Sequence, residues 1–276
     1  MQLTIGMKKL SLKNYKAIFC DYDGTLVGSD FKISENVKNA IGDWRRAGGK
    51  FSIISSKPFQ GPIKSTCDIM GLEDPAVVTG GAAIVDPKTE KIISAEHIGE
   101  DEVKKISLFL DTLEFMYDMQ DHEGQYTKFD QLKKLQPHKK YKNLTNFNFL
   151  NVLKIRILTT NTSENKINEL ISNLEIRFKN LNIIRGYTTY STGIDITSQK
   201  ANKHLAVLKL CELLKIEPYQ VIGIGDGPND YPLLMASGYK VAMGDAPQEL
   251  KEIADYVTSD YKNDGVAKFI NKILNL

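Results

Sequence analysis

A chain of 276 residues, 42% of them hydrophobic, is long enough for one large domain or two smaller ones and supplies an ordinary core. Its 36 Lys and Arg against 34 Asp and Glu leave a formal net charge of +2. With the basic residues dispersed, that argues against nucleic acid or an anionic membrane as partner. Three cysteines, Cys20, Cys67 and Cys211, form no CxxC and no ligand-like spacing, so buried thiols in a reduced, cytoplasmic compartment are expected. The opening MQLTIGMKKLSLKNYK has no long apolar stretch of the signal-peptide kind, and no segment approaches the roughly 18 apolar residues of a membrane span.

Along the chain, KAIFC (16–20) is an apolar run too short for a helix and reads as a buried strand. In SENVKNAIGDWRRAGG, Val37, Ile41, Trp44 and Ala47 stand near helical spacing, with Ser34 as N-cap and Gly48 and Gly49 as the stop. KFSIISS follows as a second strand, and VVTGGAAIVD and EKIIS, separated by Pro87, as two more. This alternation predicts a parallel sheet with crossover helices.

The middle has a different character. GEDEVKKISLFLDTLEF reads as a helix and LKIRILTT as a strand. TSENKINELISNL sets Ile167, Leu170, Ile171 and Leu174 on one helical face behind a Thr162/Ser163 cap. QLKKLQPHKKYKNLTNFNF is basic and polar, and reads as a solvated connection or a substrate-facing loop; YTTYST reads as a polar-faced strand or an edge of the insert. After Gly193 the first pattern returns as strand (GIDIT), helix (NKHLAVLKLCELL), strand (VIGIG), helix (PLLMASG) and strand (KVAM). The expected architecture is α/β: a doubly wound parallel-sheet core in two parts, 1–98 and 191–276, interrupted by an α/β insert over 99–190.

Two acidic clusters stand where apolar runs end. Asp21 and Asp23 follow the first strand in CDYDGT, and Asp226 and Asp230 follow a later one in GIGDGPND. Alone, either cluster reads equally well as a polar turn, because Asp-Gly is a turn signal. In open parallel sheets, however, ligands bind beyond the carboxyl ends of the strands. Four carboxylates on one rim repel, by roughly 4 kcal/mol per pair at about 4 Å and an effective dielectric near 20. A divalent ion removes that repulsion, and an all-oxygen donor set points to Mg²⁺ rather than zinc. Three other motifs fail. An EF-hand loop from Asp21 would want Gly at Leu26 and Glu at Lys32, GIGDGP has Pro228 where a dinucleotide fingerprint needs glycine, and GxxxxGK[ST] does not occur. Ser55, Ser56 and Lys57 end the second strand, where hydroxyls can donate to a phosphate. Lys203, with Lys200 just before it, opens a helix whose dipole disfavours a cation, which suggests an anion shared by ammonium and backbone amides.

Taken together, DYDGTL, Ser55, Lys203 and GDGPND resemble the four motifs of the haloacid dehalogenase superfamily of phosphotransferases, in the same order. The tail VAMGDAPQELKEIADYVTSDYKNDGVAKFI is similar to that of its Cof-type branch, and the insert looks like the family's large cap, which closes over the site and reads the leaving group. The resemblance implies Asp21 as nucleophile, forming an aspartyl phosphate, and Asp23 as general acid and base. It implies Mg²⁺ held by Asp21, the Asp23 carbonyl and Asp226 with Asn229 or Asp230 in support. Gly24 turns the loop, and Ser55, Ser56 and Lys203 bind the phosphoryl group. The chain departs from the family at Ser55-Ser56-Lys57 for TGR, Gly80-Gly81-Ala82 for NGA and Gly244-Asp245-Ala246 for GNA. The first of these is similar to the mannosyl-phosphoglycerate phosphatase branch.

The expected function is hydrolysis of small phosphomonoesters, sugar phosphates first, with a phosphomutase or an idle phospho-ligand-binding module as alternatives. Partners are a small phosphorylated metabolite, with no nucleic acid and no membrane; oligomeric state is not legible. In the insert, His122, Lys139, Lys140, Tyr141 and Asn146 are candidates to face a substrate, though solvated surface is the plainer reading of each. His97, His138 and His204 show no metal pattern.

Overall fold

The computed structural model describes residues 14–136, 140–144, 147, 149–188 and 191–275. It begins with β1 (Ala17–Asp21), α1 (Glu35–Arg46), β2 (Lys50–Ile54), α2 (Pro62–Met70), β3 (Ala76–Val78), β4 (Ala83–Val85) and β5 (Ile92–Ala95). There follow α3 (Glu100–Thr112), β6 (Tyr117–Gln120), β7 (Gln125–Thr127), α4 (Asp130–Leu135), β8 (Tyr141–Asn143), β9 (Lys154–Leu158), α5 (Glu164–Arg177), β10 (Leu181–Thr188) and β11 (Ser191–Ser198). The chain closes with α6 (Lys203–Leu214), β12 (Val221–Gly225), α7 (Tyr231–Met235), β13 (Tyr239–Ala242), α8 (Gln248–Ile253), β14 (Tyr256–Val257) and α9 (Gly265–Leu274).

Eight strands form one sheet in the order β14-β13-β12-β1-β2-β3-β4-β5. β1 pairs in parallel with β12 on one side and β2 on the other, so the strand order reverses between β1 and β12. That reversal opens a crevice at their carboxyl ends. β1 is buried along its whole length because both faces are covered. Ile18 and Cys20 join the cluster holding α1 and α9 residues such as Trp44, Phe269 and Ile270, while Ala17 and Phe19 join the one built on α6, α7 and α8. This is the doubly wound core expected from the sequence. Its β3, β4 and β5 run antiparallel to one another, so the sheet is parallel only from β14 to β3.

Helix α1 forms as its sequence dictates. The Ser34 hydroxyl accepts the Val37 amide at 3.1 Å, and Val37, Ala40, Ile41 and Trp44 are buried. Burying a side chain of this kind contributes about 1.5–3 kcal/mol. Ala47, expected on that face, lies at the exposed C-terminal end, and Ala40 takes the buried place.

The second sheet has six strands, β10-β11-β9-β6-β7-β8, and α3 and α5 pack on one face of it. GIDIT was expected to open the returning core, but β11 pairs with β9 and β10 and so belongs to this sheet. Its alternation explains why: Ile194 and Ile196 are buried among α3 and α5 residues. The core resumes at α6. The polar connection over 131–149 also differs from expectation, since it holds the end of α4 and the strand β8, which pairs in parallel with β7. Ser163 is the N-cap of α5 but makes no capping hydrogen bond with its side chain. No helix among the described residues is long and apolar enough to cross a membrane.

Candidate active site

The loop after β1 is fixed from both ends. Tyr22 is fully buried, and its hydroxyl pairs with Thr66 Oγ1 at 2.9 Å and donates to the Pro62 carbonyl at 3.2 Å. Gly24 takes φ +85°, and a Cβ there would stand 2.3 Å from Asp226 Oδ2, so both the turn and the close approach require glycine. Thr25 donates to Asp226 Oδ1 at 2.6 Å, which ties the loop after β1 to the loop after β12.

The GDGPND loop is organised by Asp230. Its Oδ2 accepts the amides of Asp226 (3.1 Å) and Gly227 (3.0 Å), and its Oδ1 accepts Lys203 Nζ at 2.5 Å. Lys203 also donates to Asp21 Oδ1. Asp21, Asp230 and Lys203 are all buried, and the carboxylates of Asp21, Asp226 and Asp230 offer ligand atoms within 4.8 Å of one another. Among the described residues no histidine or cysteine joins this group.

The electrostatics follow from burial and like charge. Burial first, and then Asp230, raise the Asp21 carboxyl well above the carboxylate range, against the pull of Lys203. Asp226 is pushed up to about 7, again by burial and then by Asp230, with the Thr25 hydrogen bond opposing. Burial alone would lower the Lys203 ammonium, but Asp21 and Asp230 together hold it above its ordinary value. Three acids and one ammonium leave the pocket short of positive charge. An all-oxygen trio of this kind fits a hard divalent cation.

The strand end after β2 supplies the third element. Ser55 is buried, and its Oγ accepts the Lys57 amide at 3.0 Å, which leaves its O–H to donate. Lys57 Nζ lies 3.0 Å from Asp23 Oδ1 and 5.1 Å from the centre of the Phe31 ring. The half-exposed Asp23 therefore stands apart from the buried trio. Ser56 offers its carbonyl to Lys154 Nζ of β9 at 2.8 Å, a direct bond between the two sheets' domains.

The structure thus gathers Asp21, Asp226, Asp230 and Lys203 into one network, with Gly24 at its rim and Asp23 paired to the Ser55-Ser56-Lys57 turn. Asn229 is exposed. Lys203 Nζ donates to two carboxylates, and Asn202 Oδ1 caps α6 by accepting the Leu205 amide at 2.9 Å. Lys200 is exposed. In the insert, Tyr141 donates to Asp118 (3.1 Å) and Gln136 (3.0 Å), Lys140 is exposed, and His122 accepts Gln60 Nε2 through its carbonyl at 3.3 Å. His138, Lys139 and Asn146 lie outside the described residues. Sequence reasoning gave no role to Thr25, Lys57 or Lys154. The first two sit inside quoted motifs, whereas nothing local marks Lys154.

The acidic cluster stands at the switch point of an open α/β sheet, where ligands bind in folds of this kind. The profile of the haloacid dehalogenase-like hydrolases matches residues 18–270, and the chain belongs to that family. It is an enzyme of the phosphoric monoester hydrolase class. It is 25% identical over 255 residues, 92% of this chain and 94% of the relative, to the 5-amino-6-(5-phospho-D-ribitylamino)uracil phosphatase YcsE of Bacillus subtilis. A shorter match, 42% over 82 residues, covers 30% of this chain and 36% of phosphoglycolate phosphatase 1 of Saccharolobus solfataricus. The fold is similar to that of the subclass IIB sugar phosphatase BT4131, with TM-score 0.78 and 22% identity over 95% of this chain and 100% of the other.

Proposed function

We propose that the protein is a Mg²⁺-dependent phosphatase of sugar or polyol phosphates that works through an aspartyl phosphate on Asp21. The convergence of three carboxylates and Lys203 at the β1/β12 switch point carries this reading. Asp21 and Asp226 would hold the ion together with the Asp23 carbonyl, while Asp230, bonded through both oxygens, keeps the loop in shape. When bound, Mg²⁺ neutralises the carboxylates and polarises the phosphoryl group.

The chain's own residues do the rest. A carboxylate oxygen of Asp21 forms a bond to phosphorus as the bond from phosphorus to the leaving oxygen breaks. Asp23, outside the buried network, gives that oxygen its proton. It then takes a proton from the water that attacks phosphorus, the acyl phosphate bond breaks, and inorganic phosphate leaves with Asp21 restored. Lys203 has three N–H donors and spends two on carboxylates, which leaves one for a phosphoryl oxygen; the Ser55 hydroxyl supplies another. The six-stranded domain, expected over 99–190 and extended by β11, would act as the cap that excludes water. The substrate class rests on the names of the relatives, a ribityl phosphate for YcsE and sugar phosphates for BT4131.

Phosphate release from a sugar phosphate panel, with Mg²⁺ and with excess chelator, tests the reading. Release that depends on Mg²⁺ is expected. Equal release with the chelator, or none from any substrate, would refute it.

A further inference from the structure

One face of the six-stranded sheet carries polar groups that the chemistry above leaves unused. Tyr117, Met119, Ile155, Ile157, Ile194 and Ile196 are buried against α3 and α5. The two-residue period of a strand turns their neighbours to the opposite face. Register sets those neighbours in two rows: Asp195–Arg156–Asp118 and Thr197–Lys154–Gln120. The second row reaches the core, where Lys154 Nζ donates to the carbonyl of Ser56, next to the phosphate-binding Ser55. The first row is one step, about 6–7 Å, further along β9.

Charge is balanced in this grid. Arg156 stands in register between Asp118 and Asp195, and Lys154 donates to Asp195 Oδ2 at 3.3 Å. Two of its side chains, Arg156 and Gln120, keep hydrogen-bonding atoms to spare. The Arg156 side chain is 11% exposed, its Nε and Nη2 have no hydrogen-bond partner, and its Nε is 3.9 Å from Asp195 Oδ1. Gln120 donates through Nε2 to Asp118 at 2.9 Å, but its buried Oε1 accepts nothing. Buried donors and acceptors left in this state are costly, and in native proteins they call for an explanation.

The space beside them is also unusual. Gly186 and Gly193 face each other across β10 and β11. A Cβ on Gly193 would stand 3.2 Å from Arg156 Nε, and one on Gly186 3.6 Å from Asp195 Oδ2. The glycine pair has no side chains of its own and leaves a notch over which the Arg156 guanidinium and the Asp195 carboxylate lie, and glycines within strands mark sites where a ligand approaches the backbone closely.

We infer that this notch binds the leaving group of the substrate and reads the hydroxyls of an uncharged sugar or polyol. A hydroxyl can accept from Arg156 and donate to Gln120 Oε1, which matches both unmet groups. A carboxylate or second phosphate only accepts, and would bring negative charge beside Asp118 and Asp195. The inference rests on the phosphatase reading for the phosphate end and adds the chemistry of the other end.

The test compares Arg156→Met and Gly186→Leu with the unaltered full-length protein. Substrates are glucose 6-phosphate, ribose 5-phosphate, sorbitol 6-phosphate, phosphoglycolate and p-nitrophenyl phosphate, whose leaving group has no such hydroxyls to read. The unaltered enzyme is expected to prefer the hydroxylated substrates to phosphoglycolate. Both variants should lower kcat/KM on the best of them about 30-fold or more, with p-nitrophenyl phosphate changed by less than about threefold. Equal losses on both kinds of substrate, or no loss on the hydroxylated ones, would overturn the inference. Gly186→Leu keeps the test valid should Arg156→Met not fold, because a Cβ there meets only ordinary contacts. If the unaltered protein hydrolyses nothing, the phosphatase reading falls separately. Calorimetric binding of the three hydroxylated phosphates to Asp21→Asn, with and without Arg156→Met, then decides the notch: weaker binding supports it, and unchanged or absent binding overturns it.

Discussion

The two sheets hold their charged groups in opposite ways. In the eight-stranded sheet β1 and β12 are buried along their entire length, and the acids appear only where the strands stop, at Asp21 and Asp226. In the six-stranded sheet α3 and α5 pack on one face, and Asp118, Arg156 and Asp195 sit within strands on the other, with Lys154 at the start of β9. A strand covered on both faces has no room for a charge until it ends. A strand covered on one face can present a charge at every second residue. The first arrangement makes one fixed chemical site, and the second makes a largely buried polar layer, in which Asp118, Gln120 and Lys154 are each 2% exposed or less. That is a physical basis for placing reaction chemistry in one domain and substrate reading in the other.

Substitutions can break or sharpen this contrast. Asp21→Asn keeps the shape and removes the proposed nucleophile, so turnover should fall on the order of 10⁴-fold, measured as phosphate release, while the melting temperature is retained. Lys203→Met leaves Asp21 and Asp230 buried without their cation and should cost about 3–5 kcal/mol by urea unfolding. A loss under about 1 kcal/mol would mean that the network is not a buried charge cluster. Lys154→Met strands the Ser56 carbonyl between the domains, and a loss of about 1–3 kcal/mol is expected in the same experiment. Thr25→Val removes the donor to Asp226 Oδ1. Mg²⁺ affinity by calorimetry should weaken about tenfold, since a hydrogen bond to a charged group is worth about 1.5 kcal/mol or a little more. Ser34→Ala removes the α1 cap and the hydroxyl's bond to Asp264, and should cost about 1–2 kcal/mol while leaving kinetics alone.

The same contrast explains what the sequence revealed. β1 and β12 read as unbroken apolar runs closed by acids, so a meeting of four carboxylates could be expected from the order of the segments, whereas Asp21, Asp226 and Asp230 gather and Asp23 pairs with Lys57. Helix α1 was equally legible, since its cap and stop are local signals. GIDIT has the same appearance in either sheet, and only its pairing with β9 and β10 decides where it goes. Tyr141 is a similar instance: its segment is polar, yet its hydroxyl is held by Asp118, 23 residues earlier in the chain. The polar grid on the six-stranded sheet depends wholly on register, which no stretch of sequence displays. Lys57 was visible as a departure from the family pattern, but its ion pair with Asp23 needed the fold of two separate loops.

The central claim is that Asp21 carries the phosphoryl group during turnover. Acid quenching of the enzyme within milliseconds of mixing with Mg²⁺ and its best substrate, followed by peptide mass spectrometry, tests it most directly. The account predicts one added phosphoryl group on the peptide containing Asp21, absent in Asp21→Asn and lost when turnover is complete. Phosphate release at full rate with no label on that peptide, or with label on another residue, would contradict it.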